Sequence, residues 1–341
     1  MSRRVSPSLG RLLMARILLF AGGPPLAACD DVVLRNAAFA EPRDIHRLLV
    51  IGKEGDPDAK ATGDRLISWI DSAGNGLNIE VSQVAADAPD VRWEEHGMPS
   101  VPPALPVVVL AGRPRLATKG FVIDHWEPGP GAGDLEILRS SQAREALSRE
   151  LGQRLAAIVF VPRASGGSQE AEKAIAAAVK AWGEKSKLGL AVVRADRLDP
   201  RERLLISFAG IATDGADWAT VAFGRGKFMP PLEGADITEE ALGAMLEPLL
   251  GECTCLRSPS SLGVDVPLVW DAALDRSVIL IGPSAELRHA HGLGGPEDVA
   301  GTVQVRTGGK VLTAALWTLV ALVALSGIGA AARVWSKRRE R

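Results

Sequence analysis

Thr220-Val221-Ala222-Phe223-Gly224-Arg225-Gly226-Lys227-Phe228-Met229 is an apolar run, a glycine-bearing turn and a second apolar run. That pattern predicts a β-hairpin turning on Gly224 to Gly226. A helix follows. Thr238 is its cap residue, although Ala241 stands where a complete capping box has Glu. Leu242, Met245, Leu246 and Leu249 then recur at helical spacing. Upstream, Ala157-Ile158-Val159-Phe160-Val161 is a wholly apolar strand. Ser168 to Lys185 is a helix with Ala174, Ile175, Ala178, Val179 and Trp182 on one face, and Leu190-Ala191-Val192-Val193 is the next strand. The order is strand, helix, strand, hairpin, closing helix.

Working outward, residues 46–156 carry the same order. Arg47 to Gly52 is a buried strand ended by glycine, and Leu66, Ile67, Trp69 and Ile70 mark a helix that stops at Gly74-Asn75-Gly76. Leu77, Ile79 and Val81 alternate with Asn78, Glu80 and Ser82, a half-buried strand with its polar residues outward. Pro106 to Ala111 and Gly120 to Ile123 are further strands. Gln142 to Leu155 is a helix with Ala146, Leu147, Leu151 and Leu155 inward. Gly129 to Gly133 reads as a loop or hairpin tip, and Val264 to Val269 and Val278 to Pro283 add strands or a packing layer, with Trp270-Asp271 as core and turn. The fold class is α/β, as two units in tandem.

Strand, helix, strand, hairpin and helix is the order of the thioredoxin fold, and Ala219 to Leu250 is where the resemblance is closest. In the first unit, Leu105-Pro106-Val107-Val108-Val109 resembles the segment that bears that family's cis-proline, with Pro106 at the matching place. The pattern alone also fits an unrelated pair of α/β sandwiches. Thioredoxins carry Cys-x-x-Cys where the first strand meets the first helix, because the helix N-terminus lowers the thiol pKa. The corresponding loops here, Gly52 to Pro57 and Pro162 to Gly167, contain no Cys. The resemblance therefore implies redox-inactive copies used for binding or spacing. Phe223 to Cys255 also resembles membrane-anchored bacterial proteins that end this helix with Cys-x-Cys, a likeness that brings no activity with it.

Across 341 residues the composition is 47% hydrophobic and 23% charged, with 39 Lys and Arg against 41 Asp and Glu. Such a chain is not disordered, and its balanced charge excludes a basic field for nucleic acid. Three Cys exclude a disulfide scaffold, and the absence of Tyr argues against base-stacking platforms.

The two ends predict a membrane protein. Arg3, Arg4, Arg11 and Arg16 precede an apolar stretch too short to span, and Leu26-Ala27-Ala28-Cys29 resembles the lipobox of bacterial lipoprotein signals. That resemblance implies removal of residues 1–28 and lipidation of Cys29, while Asp30 resembles the signal for retention in the inner membrane. An ordinary secretory signal with a chance Cys is the alternative. Residues 311–332 carry no charge, and at 1.5 Å per residue they span about 33 Å, enough to cross a bilayer. The basic tail, 333–341, puts the C-terminus in the cytoplasm and the body outside it. Residues 29–45 and 257–310 are then linker, and extension with linker; the first unit is 46–156 and the second 157–256.

Candidate chemistry is sparse. Cys253-Thr254-Cys255 reads as a bridge or packed thiols, as a reactive dithiol, or, with His289 and His291, as a copper or zinc site. Ser165-Gly166-Gly167-Ser168 lacks the Walker Lys and reads as a loop leading into a helix. Asp124-His125 beside Trp126 reads as a surface pair, since no nucleophile accompanies it. The sequence contains no Gly-x-Ser-x-Gly and no His-Glu-x-x-His. No catalytic residue and no cofactor is assigned. The expected function is a noncatalytic membrane-anchored interaction or accessory module of an envelope complex, such as a transporter, with membrane lipid and a membrane protein as partners. A thiol-redox or metal-handling protein is the alternative.

Overall fold

A computed structural model of the chain describes residues 34–73, 76–89, 91–117, 119–250 and 258–280. Its first half runs α1 (Leu34–Ala40), β1 (His46–Gly52), α2 (Pro57–Ala73), β2 (Ile79–Ala85), β3 (Val107–Gly112), β4 (Phe121–Trp126), α3 (Ala132–Arg139) and α4 (Gln142–Gln153). The second half runs β5 (Ala156–Val161), α5 (Gln169–Lys185), β6 (Leu190–Arg194), α6 (Arg203–Phe208), β7 (Trp218–Phe223), β8 (Lys227–Phe228), β9 (Leu232–Glu233) and α7 (Glu239–Leu246). After it come β10 (Val264–Asp265) and α8 (Ala272–Ser277).

The architecture is mixed α/β with two sheets. One has four strands in the order β2-β1-β3-β4; the other has six, ordered β10-β8-β7-β5-β6 with β9 on β7. In each half the first strand lies parallel to the second and antiparallel to the third, and the third pairs antiparallel with the fourth. The wholly apolar runs occupy the centres of these sheets because both of their faces are covered. Every residue of β3, β5 and β7 is buried. The hairpin between β7 and β8 turns on Gly224 (φ 58°) and Gly226 (φ 103°), a left-handed conformation that residues with a Cβ rarely adopt. The Leu105–Pro106 bond is cis.

The core divides by sheet face. Leu48, Val50, Val108 and Leu110 of the first sheet share one apolar cluster with Ala157, Val159, Val161 and Ala222 of the second. On the other face of the second sheet, Ile158, Phe160, Val221 and Phe223 pack with Ile175 and Trp182 of α5 and Leu242 and Leu246 of α7. On the other face of the first sheet, Leu49, Ile51, Val107 and Val109 are covered by Met98 and Trp93, from a segment that includes the 3-10 turn Trp93–His96. Each fully buried aliphatic side chain of this kind contributes about 1.5–3 kcal/mol.

A strap joins the halves. Val264 pairs with Phe228 of β8, and Val269 bridges to Leu77 at the approach to β2. Gly263 leads into it, where a Cβ would run into the Phe228 carbonyl.

Three details differ from the sequence reading. Leu34–Ala40, within the stretch read as linker, is a helix with Leu34, Arg35, Asn36, Ala38 and Phe39 buried. Arg35 holds it there by donating to the Leu151, Gly152 and Arg154 carbonyls, which end α4. Gly131, read as loop, is the N-cap of α3, its amide bonded by Asp134. Asn78, read as outward, is 2% exposed, because it bonds the strap instead of water. Among the described residues no helix is long and apolar enough to cross a membrane, and residues 311–332 lie outside them.

Candidate functional site

The loop between β5 and α5 is held by side-chain hydrogen bonds from two sides. Ser168 caps α5, its Oγ accepting from the Ala171 amide at 3.1 Å. Asp217, the residue before β7, sends its carboxylate into the same loop: Oδ1 accepts from the Arg163 amide and Oδ2 from the Ser168 amide, both at 2.8 Å. Asp217 is 3% exposed. Burial pushes its pKa up, but the two amides and the nearby Arg163 charge outweigh it and hold the carboxyl below its usual range. Arg197 fixes the approach to Asp217 by donating to the Pro162, Ala212, Gly215 and Ala216 carbonyls at 2.6–2.9 Å. An open cleft of about 700 Å³ lies beside this loop, lined by Arg163, Ser168, Lys173, Asp217, Gly234 and Thr238. Ser168 and Thr238 are the caps of α5 and α7, so two helix starts border it.

The amides of Arg163 and Ser168, which would otherwise serve an incoming anion, are already bound to Asp217. The first half closes its equivalent loop with its own residue: Asp56 Oδ1 accepts from the Asp58 amide at 2.9 Å and the Ala59 amide at 3.3 Å. Neither loop holds a thiol, so neither performs disulfide exchange. What the cleft offers is polar and apolar contact surface.

A second polar constellation lies buried under the strap. Lys227 Nζ is 3.0 Å from Asp265 and 3.8 Å from Asp44, with both side-chain partners of each pair 2% exposed. Asp44 and Asp265 each accept the other's backbone amide, at 2.9 and 2.8 Å. His46 Nε2 lies 2.7 Å from the Asp265 carbonyl, and Asn78 bonds Asp44, Val266 and Leu268. Burial is the main reason that the His46 pKa falls to about 4. Burial also raises the Asp265 carboxyl, against the pull of Lys227. Each member bonds at least one neighbour in the fold, His46 through Nε2 alone with Nδ1 buried and unbonded, and the cluster fastens the strap.

The residues assigned from sequence, Cys29, Cys253, Cys255, His289 and His291, lie outside the described residues. Among the described residues no group of His, Cys, Asp and Glu is arranged to hold a metal ion. The Asp124–His125 pair is described: Asp124 bonds the Arg203 guanidinium at 2.6 Å and the His125 amide at 2.8 Å, tying β4 to α6. Asp217, Arg197 and Lys227 were not singled out from the sequence. Only Lys227, charged amid Phe223 and Phe228 in an apolar hairpin, carried a local signal. No family model matches the chain, and no curated protein matches it.

Proposed function

We propose that this chain is a noncatalytic, membrane-anchored extracytoplasmic protein, with two thioredoxin-like units in tandem serving as an interaction or accessory module of an envelope complex such as a transporter. The observation that carries the reading is the carboxylate of Asp217 in the loop where thioredoxins keep their reactive pair. It binds the Arg163 and Ser168 amides at 2.8 Å, which ties down a loop that holds no thiol beside a 700 Å³ cleft that offers contact surface. The repeated strand order, and Pro106 standing just before β3, support the thioredoxin-like reading of each half.

The membrane placement rests on sequence: lipid on Cys29, and residues 311–332 as a single span of the bacterial inner membrane, with the basic tail in the cytoplasm. The test is co-purification from detergent-solubilised membranes. A membrane-protein partner that is lost on Lys173→Glu at the cleft supports the reading; a chain that runs alone and monodisperse in mild detergent refutes it. Cys253 and Cys255 sustain the alternative of thiol-redox or copper or zinc handling. Titration of the native protein decides that point, because two inert thiols and no co-purifying metal remove the alternative.

A further inference from the structure

Arg35 does more than fix α1. Its Nη1 donates to the Ile279 carbonyl at 2.6 Å, and the Ile279 amide donates to the Gly152 carbonyl at 2.9 Å. Gln153 Nε2 donates to the Ser277 carbonyl at 2.7 Å. The start of α1 and the last described residues after α8 therefore meet at one place, the C-terminal end of α4. In sequence, Cys29 stands five residues before Leu34, and 311–332 follow Leu280. Five residues reach no further than about 18 Å even when fully extended. A lipid on Cys29 would thus hold this end of the body close to the bilayer.

The surface around that place is basic. Arg149 and Arg154 at the end of α4, Arg276 of α8, and Lys187 are exposed. Lys187 belongs to the turn Ser186–Gly189, which Arg154 joins to α4 by donating to the Leu188 carbonyl at 3.4 Å. Glu150 serves both Arg149 and Arg154, and Glu184 is offset by its neighbour Lys185. The excess is positive, and Ile279 beside it is 42% exposed. Cations with an apolar side chain among them suit anionic headgroups over an acyl interior. Asp30 and Asp31, next to Cys29 in sequence, oppose the attraction. It can therefore orient a body that is already anchored but not recruit a free one.

The cleft lies at the other end of the same strand. β5 starts at Ala156, beside the basic surface, and ends at Val161, just before Arg163; its six residues cover about 20 Å. α5 runs back the other way, with Lys173 lining the cleft and Lys187 just past its far end.

We propose that the end of the body built from the last turns of α4, the turn Ser186–Gly189 and α8 rests on the anionic lipid surface of the membrane that anchors the chain. The cleft of Arg163 and Lys173 then faces away from the lipid, toward the extramembrane part of a partner. This rests on the membrane-anchored reading above.

The full-length chain is reconstituted into nanodiscs of phosphatidylcholine, and into discs with about a third phosphatidylglycerol. A water-soluble acetylating reagent is added, and each lysine is followed by mass spectrometry. On the anionic discs Lys187 should react about fivefold more slowly than on the neutral ones, the factor that one cation held at such a surface supplies. Lys173 should react equally on both. Arg149→Gln combined with Arg276→Gln removes two exposed cations and should erase the difference at an unchanged unfolding midpoint, as should high salt. Equal rates at Lys187 on the two discs, slowing at Lys173 instead, or full slowing in the double variant would overturn the proposal and leave the anchored reading intact. Slowing in native membranes alone would assign this end to a protein partner, and overturn it too. Release of the chain from native membranes by carbonate would refute the anchored reading, and this proposal with it.

Discussion

The two strand-to-helix loops occupy the same place in the two halves and are closed in different ways. The first is closed from within, by Asp56 capping the helix that follows it. The second is closed from across the sheet, by Asp217 at the start of β7. Local closure stabilises one helix end. Closure by a distant carboxylate also fixes one strand against another and needs its own support, which Arg197 supplies through four carbonyls within 2.9 Å. The second half is thus the more rigidly built around its loop, and that is where the proposed contact surface lies.

The largest effect tests whether the halves behave as one unit. Lys227→Ala removes the cation between Asp44 and Asp265 and leaves two carboxylates in a site 2% exposed. Breaking a buried pair in this way costs about 3–5 kcal/mol. Because the strap touches both sheets, hydrogen exchange should rise in β1 and β8 together. Faster exchange confined to β8 would show that the halves are fastened elsewhere.

Next comes Asp217→Ala, which leaves two loop amides without their acceptor, at about 2–3 kcal/mol. Chemical denaturation measures the loss. Asp217→Asn keeps the shape but not the charge and should recover part of it. The pH dependence has a definite sign. The Asp217 carboxyl is held low in the fold, so its contribution is present above the unfolded carboxylate range and is lost as pH falls through its folded pKa. Asp217→Ala should remove that acid dependence.

The fold was legible wherever its signal was local. The short all-apolar runs at Val107 to Ala111 and Ala157 to Val161, rich in β-branched residues, read as central strands, and Gly224 and Gly226 marked the hairpin. What escaped notice depended on contacts far along the chain. The helix Leu34–Ala40 is too short to show a period, and the Arg35 that anchors it bonds carbonyls 116 to 119 residues away. Asn78 fitted the outward side of an alternating strand, and only its bonds to Val266 and Leu268, 188 and 190 residues on, draw it inward. Asp217 gives no sign in sequence that its partners are Arg163 and Ser168. Strand centres announce themselves by composition; polar closures do not, because their partners are chosen by topology.

His46 gives a smaller effect with the opposite chemistry. Burial depresses its folded pKa from 6.5 to about 4, so below pH 6.5 the unfolded chain takes up a proton that the folded one refuses. Stability contributed by the neutral ring is complete above that pH and declines as the pH falls toward 4. Between pH 7 and 5.5 the loss is on the order of 1.5 kcal/mol. Thermal unfolding of His46→Gln against wild type checks it: the variant should be less stable at pH 7 and should lack this slope. An unchanged slope would mean that the titrating group lies elsewhere.

The smallest effect bears on the comparison most directly. Asp56→Ala removes a cap whose two acceptor contacts, to the Asp58 and Ala59 amides, are exposed or half-buried. Water can replace the lost oxygen there, so the expected cost is about 1 kcal/mol. At Asp217, 3% exposed at the wall of the cleft, water reaches the loop amides less readily, and the same substitution should cost two to three times as much by the estimates above. Urea midpoints of the two variants, measured side by side, decide between the accounts. If Asp56→Ala proves as damaging as Asp217→Ala, then closure from a distance adds nothing over closure from within. The greater rigidity assigned to the second half would then have to come from the helices α5 and α7 that cover its sheet, not from its loop.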